Sequence, residues 1–330
     1  MSGEQALAAA LLGRAVDRIA AVSGGGNNRL YRIEAAGSHF AMKLYASNDA
    51  SGHQRFARET AALTLLATTR LADRVPCLVA ASEAHSAVLF DWIEGTPPHE
   101  CGPDDLADML DFIADLHMID TLPAAKSRGE AAEACLSGAE LARQIDERRG
   151  RLDRIEDDPA LARYLGRFDL LWRYLRPTIL GFAVLPPALR ILSPSDFGLH
   201  NALRRPDGRL VFLDFEYFGW DDPVKLAADM IWHPGMMLDE TAARTVTALS
   251  TRLFARDDPA YGRRLAAMLP AYGLRWCLIL LNEFLPERWN RRRQAQDADP
   301  ADWPAAKRRQ LDKAERMMAR VEACREEIAQ

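Results

Sequence analysis

Short apolar runs punctuated by glycine and asparagine occupy residues 16–46. This pattern predicts a strand, a glycine turn at Ser23-Gly24-Gly25-Gly26-Asn27-Asn28, a second strand, a turn over 36–38 and a third strand through 40–45. The period then changes: Phe56, Leu63 and Leu66, set among alanines, predict a helix over 51–69. Residues 76–81 and 86–93 read as strands again. The second runs apolar into Asp91-Trp92-Ile93-Glu94-Gly95, and Thr96-Pro97-Pro98 then breaks it. Beyond Pro98 the segments 103–119 and 131–175 carry a helical period. Two short strands follow near 188–192 and 210–215, with Pro206-Asp207-Gly208 as a turn before the second. Everything from Pro223 onward is helical in pattern, ending in a charged amphipathic segment, 303–330, expected to pack as a terminal helix. Residues 1–20 also read as an amphipathic helix, with Leu7, Leu11 and Val16 near one face. The pattern predicts an α+β chain. It has a small β-rich N-terminal lobe, residues 1–95, and a larger, mostly helical lobe, residues 96–330.

Composition narrows the picture. The chain has 330 residues, 48% hydrophobic and 27% charged, the profile of a globular protein with a real core. Its net charge of −5 gives no global basic footprint for nucleic acid. The one basic run, Arg288 with Arg291, Arg292 and Arg293, reads as a solvated helix end. The five cysteines, Cys77, Cys101, Cys135, Cys277 and Cys324, have no spacing for a metal knuckle or redox pair, and their odd number suits a reducing compartment. No apolar run reaches the ~18–20 residues that span a bilayer. The N-terminus carries an acidic residue where a signal peptide needs positive charge. A cytoplasmic protein without nucleic-acid or membrane partners is expected.

The strongest chemical signal is Ser195-Asp196-Phe197-Gly198-Leu199-His200-Asn201, followed after a short hairpin by Leu213-Asp214-Phe215-Glu216. Phosphoryl transfer needs a carboxylate to orient the attacking hydroxyl. It also needs a second carboxylate and an amide oxygen to hold Mg²⁺ against the phosphates. Asp196 fits the first role; Asn201 and Asp214 fit the second. The same residues can serve as ordinary turn formers, so the flanking apolar strands and the order of the upstream motifs matter. Upstream, Gly24, Gly25, Gly26 and Asn27 can bring backbone amides to phosphate oxygens, although a plain glycine-rich hairpin turn has the same composition. Lys43 interrupts an otherwise apolar strand, which is costly unless its ammonium has a partner or faces solvent from an edge strand. Glu59 on the following helix is the obvious partner. Asp91, Trp92 and Ile93 sit where a strand enters a hinge and can offer backbone groups to a purine, although Trp92 and Ile93 fit ordinary core positions equally well.

In this order the residues resemble the aminoglycoside phosphotransferase and choline kinase superfamily, relatives of the protein kinases. The resemblance covers roughly residues 15–290 and is strongest over 188–223. It implies a bilobal protein-kinase-like fold with ATP between the lobes. It matches Asp196 to the catalytic aspartate, Asn201 and Asp214 to the metal ligands, and Lys43 with Glu59 to the phosphate-positioning pair. The chain departs from the family where a catalytic-loop His-Gly-Asp is replaced by Pro194-Ser195-Asp196. His200 stands just before Asn201, where it reads as a loop-packing residue. Gly219-Trp220-Asp221-Asp222-Pro223 matches the usual Gly-Asp-Pro segment only loosely, with Asp229 as the nearest downstream aspartate.

The implied activity is an ATP- and Mg²⁺-dependent transfer of phosphate to a hydroxyl of a small molecule: a sugar, amino sugar, aminoglycoside or amino alcohol. Glu216, Trp220, Arg275, Asn282 and Glu283 are the expected acceptor-binding residues, although the polar pair Asn282-Glu283 in an apolar helix serves a structural hydrogen-bond network equally well. The alternative is a nucleotide-binding scaffold without turnover, motivated by the missing loop histidine. A protein kinase ranks last, because no Ala-Pro-Glu segment follows Asp214 and little room remains for an activation loop.

Overall fold

A computed structural model describes residues 2–22, 28–45, 50–155, 157–236, 238–290 and 302–329. Its contacts divide the chain into two compact units. The first comprises residues 1–133 with 192–220, and the second residues 134–191 with 221–330.

The first unit opens with α1 (Gly3–Leu12), capped by the Ser2 hydroxyl, which accepts from Gln5 N, and ended by Gly13 at φ 65°. A five-stranded antiparallel sheet follows: β1 (Arg18–Val22), β2 (Arg29–Ala35), β3 (Ser38–Leu44), β4 (Leu78–Ser82) and β5 (Ala87–Asp91), in the spatial order β1-β2-β3-β5-β4. One face packs Ile33, Met42, Leu44 and Leu89 under Ala8, Leu7 and Leu11 of α1. Because side chains alternate along a strand, Met42 and Leu44 pointing into that core turn Lys43 to the opposite face. α2 (Ala50–Leu66) connects β3 to the 3-10 turn before β4. α3 (Pro103–His117) begins at a proline and buries Leu106, Met109, Phe112, Ile113 and Leu116. A short helix, α4 (Pro123–Lys126), follows it.

The second unit is helical: α5 (Gly138–Arg151), α6 (Pro159–Leu180), α7 (Pro223–Trp232), α8 (Glu240–Phe254), α9 (Tyr261–Leu280) and α10 (Trp303–Ala329). The helical segment expected over 131–175 divides into α5 and α6. Pro159 starts α6, and the Asp158 carboxylate caps it by accepting from Leu161 N. α9 packs against α5, α6, α7, α8 and α10, which is why it is apolar on nearly every face. At Gly273 a Cβ would lie 2.4 Å from Val321 Cγ2 and 2.9 Å from Trp232 Cε2, so the helices approach too closely there for any side chain. Contrary to the expectation from apolar runs, Tyr261–Phe284 is long and apolar enough to cross a membrane. Two-thirds of its most apolar window (67%) is buried against the other helices, the signature of a core helix. The chain first passes between the units at Glu133–Ala134, and it crosses again within the short strands β6 (Ile191–Ser193) and β9 (Gly219–Asp221).

Candidate functional site

Between those crossings lies a hairpin of β7 (Ala202–Arg204) and β8 (Leu210–Phe212), paired antiparallel with Ala202 opposite Phe212. The Asn201 carbonyl accepts from Leu213 N at 2.8 Å, which extends the ladder one step and leaves Asp214 immediately beyond it. This register brings Asn201 and Asp214 to the same end of the hairpin, although thirteen positions separate them (214 − 201). Beneath it the Phe112 ring contacts Phe197, Phe212 and Phe215, so the loop and both strands rest on one aromatic cluster. Arg74 donates to the Leu210 carbonyl at 3.0 Å and pairs with Asp108 at 2.7 Å, fixing β8 to α3.

Two residues here hold left-handed backbone without being glycine: Ser195 at φ 68° and Asp214 at φ 65°. Asp196 N closes a three-residue turn on the Pro194 carbonyl at 2.9 Å around Ser195. Such conformations cost about 1–3 kcal/mol each and persist where neighbouring structure enforces them. Each sits at a carboxylate that the sequence marks as functional.

Asp196 is partly exposed and accepts from His200 Nε2 at 2.9 Å. The Asn201 side-chain Nδ2 donates to the Asp196 carbonyl at 3.0 Å, which turns Oδ1 to the other side of the amide. His200, expected to pack the loop, thus also contacts the Asp196 carboxylate directly.

Lys43 and Glu59 meet as expected. Lys43 Nζ lies 2.6 Å from Glu59 Oε2, 2.5 Å from Asp214 Oδ1 and 3.3 Å from Glu216 Oε2. Glu59 is almost fully buried. It also takes the Tyr45 hydroxyl and, through Oε1, the Phe215 N–H at 3.3 Å. α2 therefore grips the backbone next to Asp214 as well as the lysine. Burial opposes the charge on Lys43, but Glu59, Asp214 and Glu216 outweigh it and raise its pKa well above the ordinary lysine value. Burial raises Glu59, with Lys43 opposing, and it raises Glu216, with the nearby Asp214 charge adding to the effect. Oxygens of Glu59, Asp214 and Glu216 all lie within 4.8 Å of one another.

Other residues fall differently. Gly24, Gly25, Gly26 and Asn27 lie outside the described residues. Glu216, expected at the acceptor, is buried beside Lys43 instead, where its Oε2 accepts from Asn28 Nδ2 at 2.6 Å and its Oε1 lies 3.6 Å from Arg55. The Asp91 N–H donates to the Cys77 carbonyl and the Trp92 N–H to the His39 carbonyl, so among Asp91, Trp92 and Ile93 only the Ile93 N–H is not taken up by these sheet contacts. The Asp91 carboxylate accepts from Cys77 N, and the Trp92 ring lies under the Arg32 guanidinium at 4.6 Å. Trp220 is half-buried and tied by backbone bonds to Gly129 and Ala131. A Cβ on the preceding Gly219 would lie 2.5 Å from Ala131 N. In the second unit, Arg275 is not presented to a substrate: it is buried, with Nε on Gln144 Oε1 at 2.9 Å and Nη1 on Asp229 Oδ1 at 3.3 Å. Asn282 and the buried Glu283 lie in the 3-10 turn that ends α9.

Sequence reasoning missed Tyr45, Arg55 and Asn28. Tyr45 could have been found two residues beyond Lys43 on the same strand face, and Arg55 one helical turn before Glu59.

A model of the phosphotransferase enzyme family matches residues 18–259. The chain belongs to this family. No curated protein matches it. Among solved structures of the phosphotransferase fold, a Ralstonia eutropha protein assigned as an aminoglycoside phosphotransferase is 18% identical, with a TM-score of 0.61 over 95% of each chain. The choline kinase LicA of Streptococcus pneumoniae is 14% identical, with a TM-score of 0.56 over 92% of this chain and 94% of its own. A spectinomycin phosphotransferase solved with ADP and spectinomycin is 11% identical, with a TM-score of 0.60 over 95% and 97%. At these identities the likeness shows the fold, a protein-kinase-like phosphotransferase with an antiparallel-sheet N-terminal region and a helical C-terminal region.

Proposed function

We propose that this chain is an active small-molecule kinase, moving the γ-phosphoryl group of ATP to a hydroxyl. The observation that carries the reading is Lys43 Nζ held between Glu59 and Asp214, with Asn201 tied by the hairpin to the residue before Asp214. A buried lysine shared by three carboxylates is placed to exchange one of them for phosphate oxygens. Asp196, braced by His200, would accept or orient the proton of the attacking hydroxyl. The Asn201 amide oxygen and the Asp214 carboxylate are hard oxygen donors of the type Mg²⁺ prefers. The ion, when bound, neutralises charge on the phosphates. Residues 1–95 would hold the nucleotide, with Ile93 N–H as the hinge donor, and residues 96–330 would carry the catalytic loop and the acceptor.

Choline, aminoglycosides and spectinomycin in the names of the structural neighbours support a small hydroxyl-bearing acceptor: a sugar, amino sugar, aminoglycoside or amino alcohol. All five cysteines are free thiols, which supports a cytoplasmic setting. The test is ADP release from MgATP across a panel of such acceptors, with Asp196→Ala as control. Acceptor-dependent release that the variant loses supports the kinase. MgATP binding with no release from any acceptor favours a nucleotide-binding scaffold.

A further inference from the structure

Arg55 is a second cation at the phosphate end of this site, and none of the motifs above assigns it a task. It lies on α2 one turn before Glu59, so guanidinium and carboxylate leave the helix on the same face. Its side chain is only 13% exposed, and Nη1 stands 3.6 Å from Glu216 Oε1, too long for a hydrogen bond. Its Nε is buried and has no acceptor among the described residues. A buried N–H without an acceptor is a penalty that natural sites seldom carry without reason.

The position of that donor defines what would satisfy it. Lys43 approaches one oxygen of Glu216 and Arg55 the other, so the two cations straddle a single carboxylate. A phosphate chain that reaches Lys43 therefore comes within a carboxylate's width of Arg55. The planar guanidinium fork suits phosphate oxygens, and Nε with one Nη can bind them side by side. Asn28, donating to Glu216 from Nδ2, leaves its own Oδ1 buried without a donor among the described residues. The Glu216 corner is thus polar but incompletely satisfied at two points.

We propose that Arg55 is a second phosphate-binding residue, sharing the nucleotide's phosphates with Lys43. This rests on the nucleotide reading above and adds to it a residue that confers affinity for phosphates but none for the base.

The experiment is calorimetric titration of the full chain with MgATP, MgADP and adenosine, using wild type, Arg55→Gln, Arg55→Lys, Lys43→Met and the double variant Arg55→Gln/Glu216→Gln. Circular dichroism confirms that each variant is folded, and Arg55→Lys keeps the charge should Arg55→Gln unfold. Arg55→Gln is expected to weaken MgATP and MgADP about tenfold or more, with adenosine unchanged within about twofold and Arg55→Lys intermediate. The double variant is expected to stay weak. Wild-type MgATP affinity in Arg55→Gln overturns the proposal, as does equal weakening of adenosine. Recovery of affinity in the double variant also overturns it, because Arg55 would then only offset Glu216. Wild type binding MgATP through Lys43 but not Arg55 defeats this inference alone, whereas no MgATP binding by wild type defeats the nucleotide reading and this inference with it.

Discussion

His200 Nε2 lies 2.9 Å from Asp196 Oδ1, four residues further along the same loop. The chain lacks a histidine two residues before Asp196, and His200 reaches the carboxylate from the other side. If the contact positions Asp196 for the incoming hydroxyl, His200→Ala lowers kcat by about 10- to 100-fold, the usual consequence of a slightly misplaced reacting group. The KM for ATP stays unchanged. His200→Gln, which keeps a donor, recovers part of the loss. Steady-state kinetics on all three proteins decide it: an unchanged kcat in His200→Ala removes the role.

Asp196 and Asp214 should separate in their effects. Asp214 touches Lys43, the proposed phosphate contact, while Asp196 lies beside His200. Asp196→Ala is expected to abolish transfer with nucleotide affinity retained. Asp214→Ala is expected to weaken the metal-dependent part of nucleotide binding. Titration with ATP in the presence of Mg²⁺ and of EDTA measures the difference. Equal behaviour of the two variants would contradict the assigned roles.

Ser195 sits at φ 68° directly before Asp196, so its backbone is strained for any residue with a Cβ. Ser195→Gly relieves that strain while adding unfolded-state entropy, and its stability should stay within about 1 kcal/mol of wild type. Ser195→Val adds a β-branched side chain in the same conformation and should cost about 1–3 kcal/mol, with loss of activity as Asp196 shifts. Urea denaturation of both variants reads the contrast, and a Val variant as stable as the Gly variant would refute it.

Some of this was legible in the sequence because the relevant contacts are local or obey a simple period. Lys43 could be singled out because a lysine in an apolar strand must find a partner, and Glu59 was the nearest helical carboxylate. Asn201 and Asp214 could be paired because a Pro-Asp-Gly turn between apolar runs fixes a hairpin. What the sequence hid were contacts over long separations. Arg275 meets Gln144 across 131 residues, so nothing nearby marks it as structural. Glu216 follows Asp214 by two residues, but the chain there is not a strand, so alternation could not say which way it faces. The backbone donors of Asp91 and Trp92 were lost as hinge groups because their acceptors, Cys77 just before β4 and His39 on β3, lie on neighbouring segments of the sheet.

The thiols make a separate prediction. Burial pushes Cys135 and Cys277 up to about 12, while Cys77 is exposed. Only the thiolate is nucleophilic, so raising the pKa keeps these two groups protonated through the alkaline range where ordinary cysteines react. Iodoacetamide labelling of native protein from about pH 7 to about pH 10, mapped by peptide mass, should modify Cys77 first. Cys135 and Cys277 should stay unmodified until the protein is unfolded. Labelling of either at the rate of Cys77 would show that the structure around it opens readily.

Lys225 on α7 is 1% exposed and lies between Asp221 at 3.1 Å and Asp229 at 3.0 Å. Burial opposes its charge, and the two carboxylates outweigh that opposition. Burial already raises Asp221 above its ordinary value of 3.8, with Lys225 pulling the other way. Lys225→Met removes that counterweight and should cost about 3–5 kcal/mol at neutral pH, because it leaves a carboxylate buried with less compensation. The sign of the pH dependence follows. A carboxyl whose folded pKa is raised favours the fold when protonated, and that support is lost as pH rises through the raised value. The variant's deficit should therefore shrink as pH falls from about 7 to about 5, and Asp221→Asn added to Lys225→Met should shrink it at both. Denaturant titrations at the two pH values test this. A deficit that does not change with pH, or that the second substitution does not relieve, would mean that lost packing and not an uncompensated charge destabilises the variant.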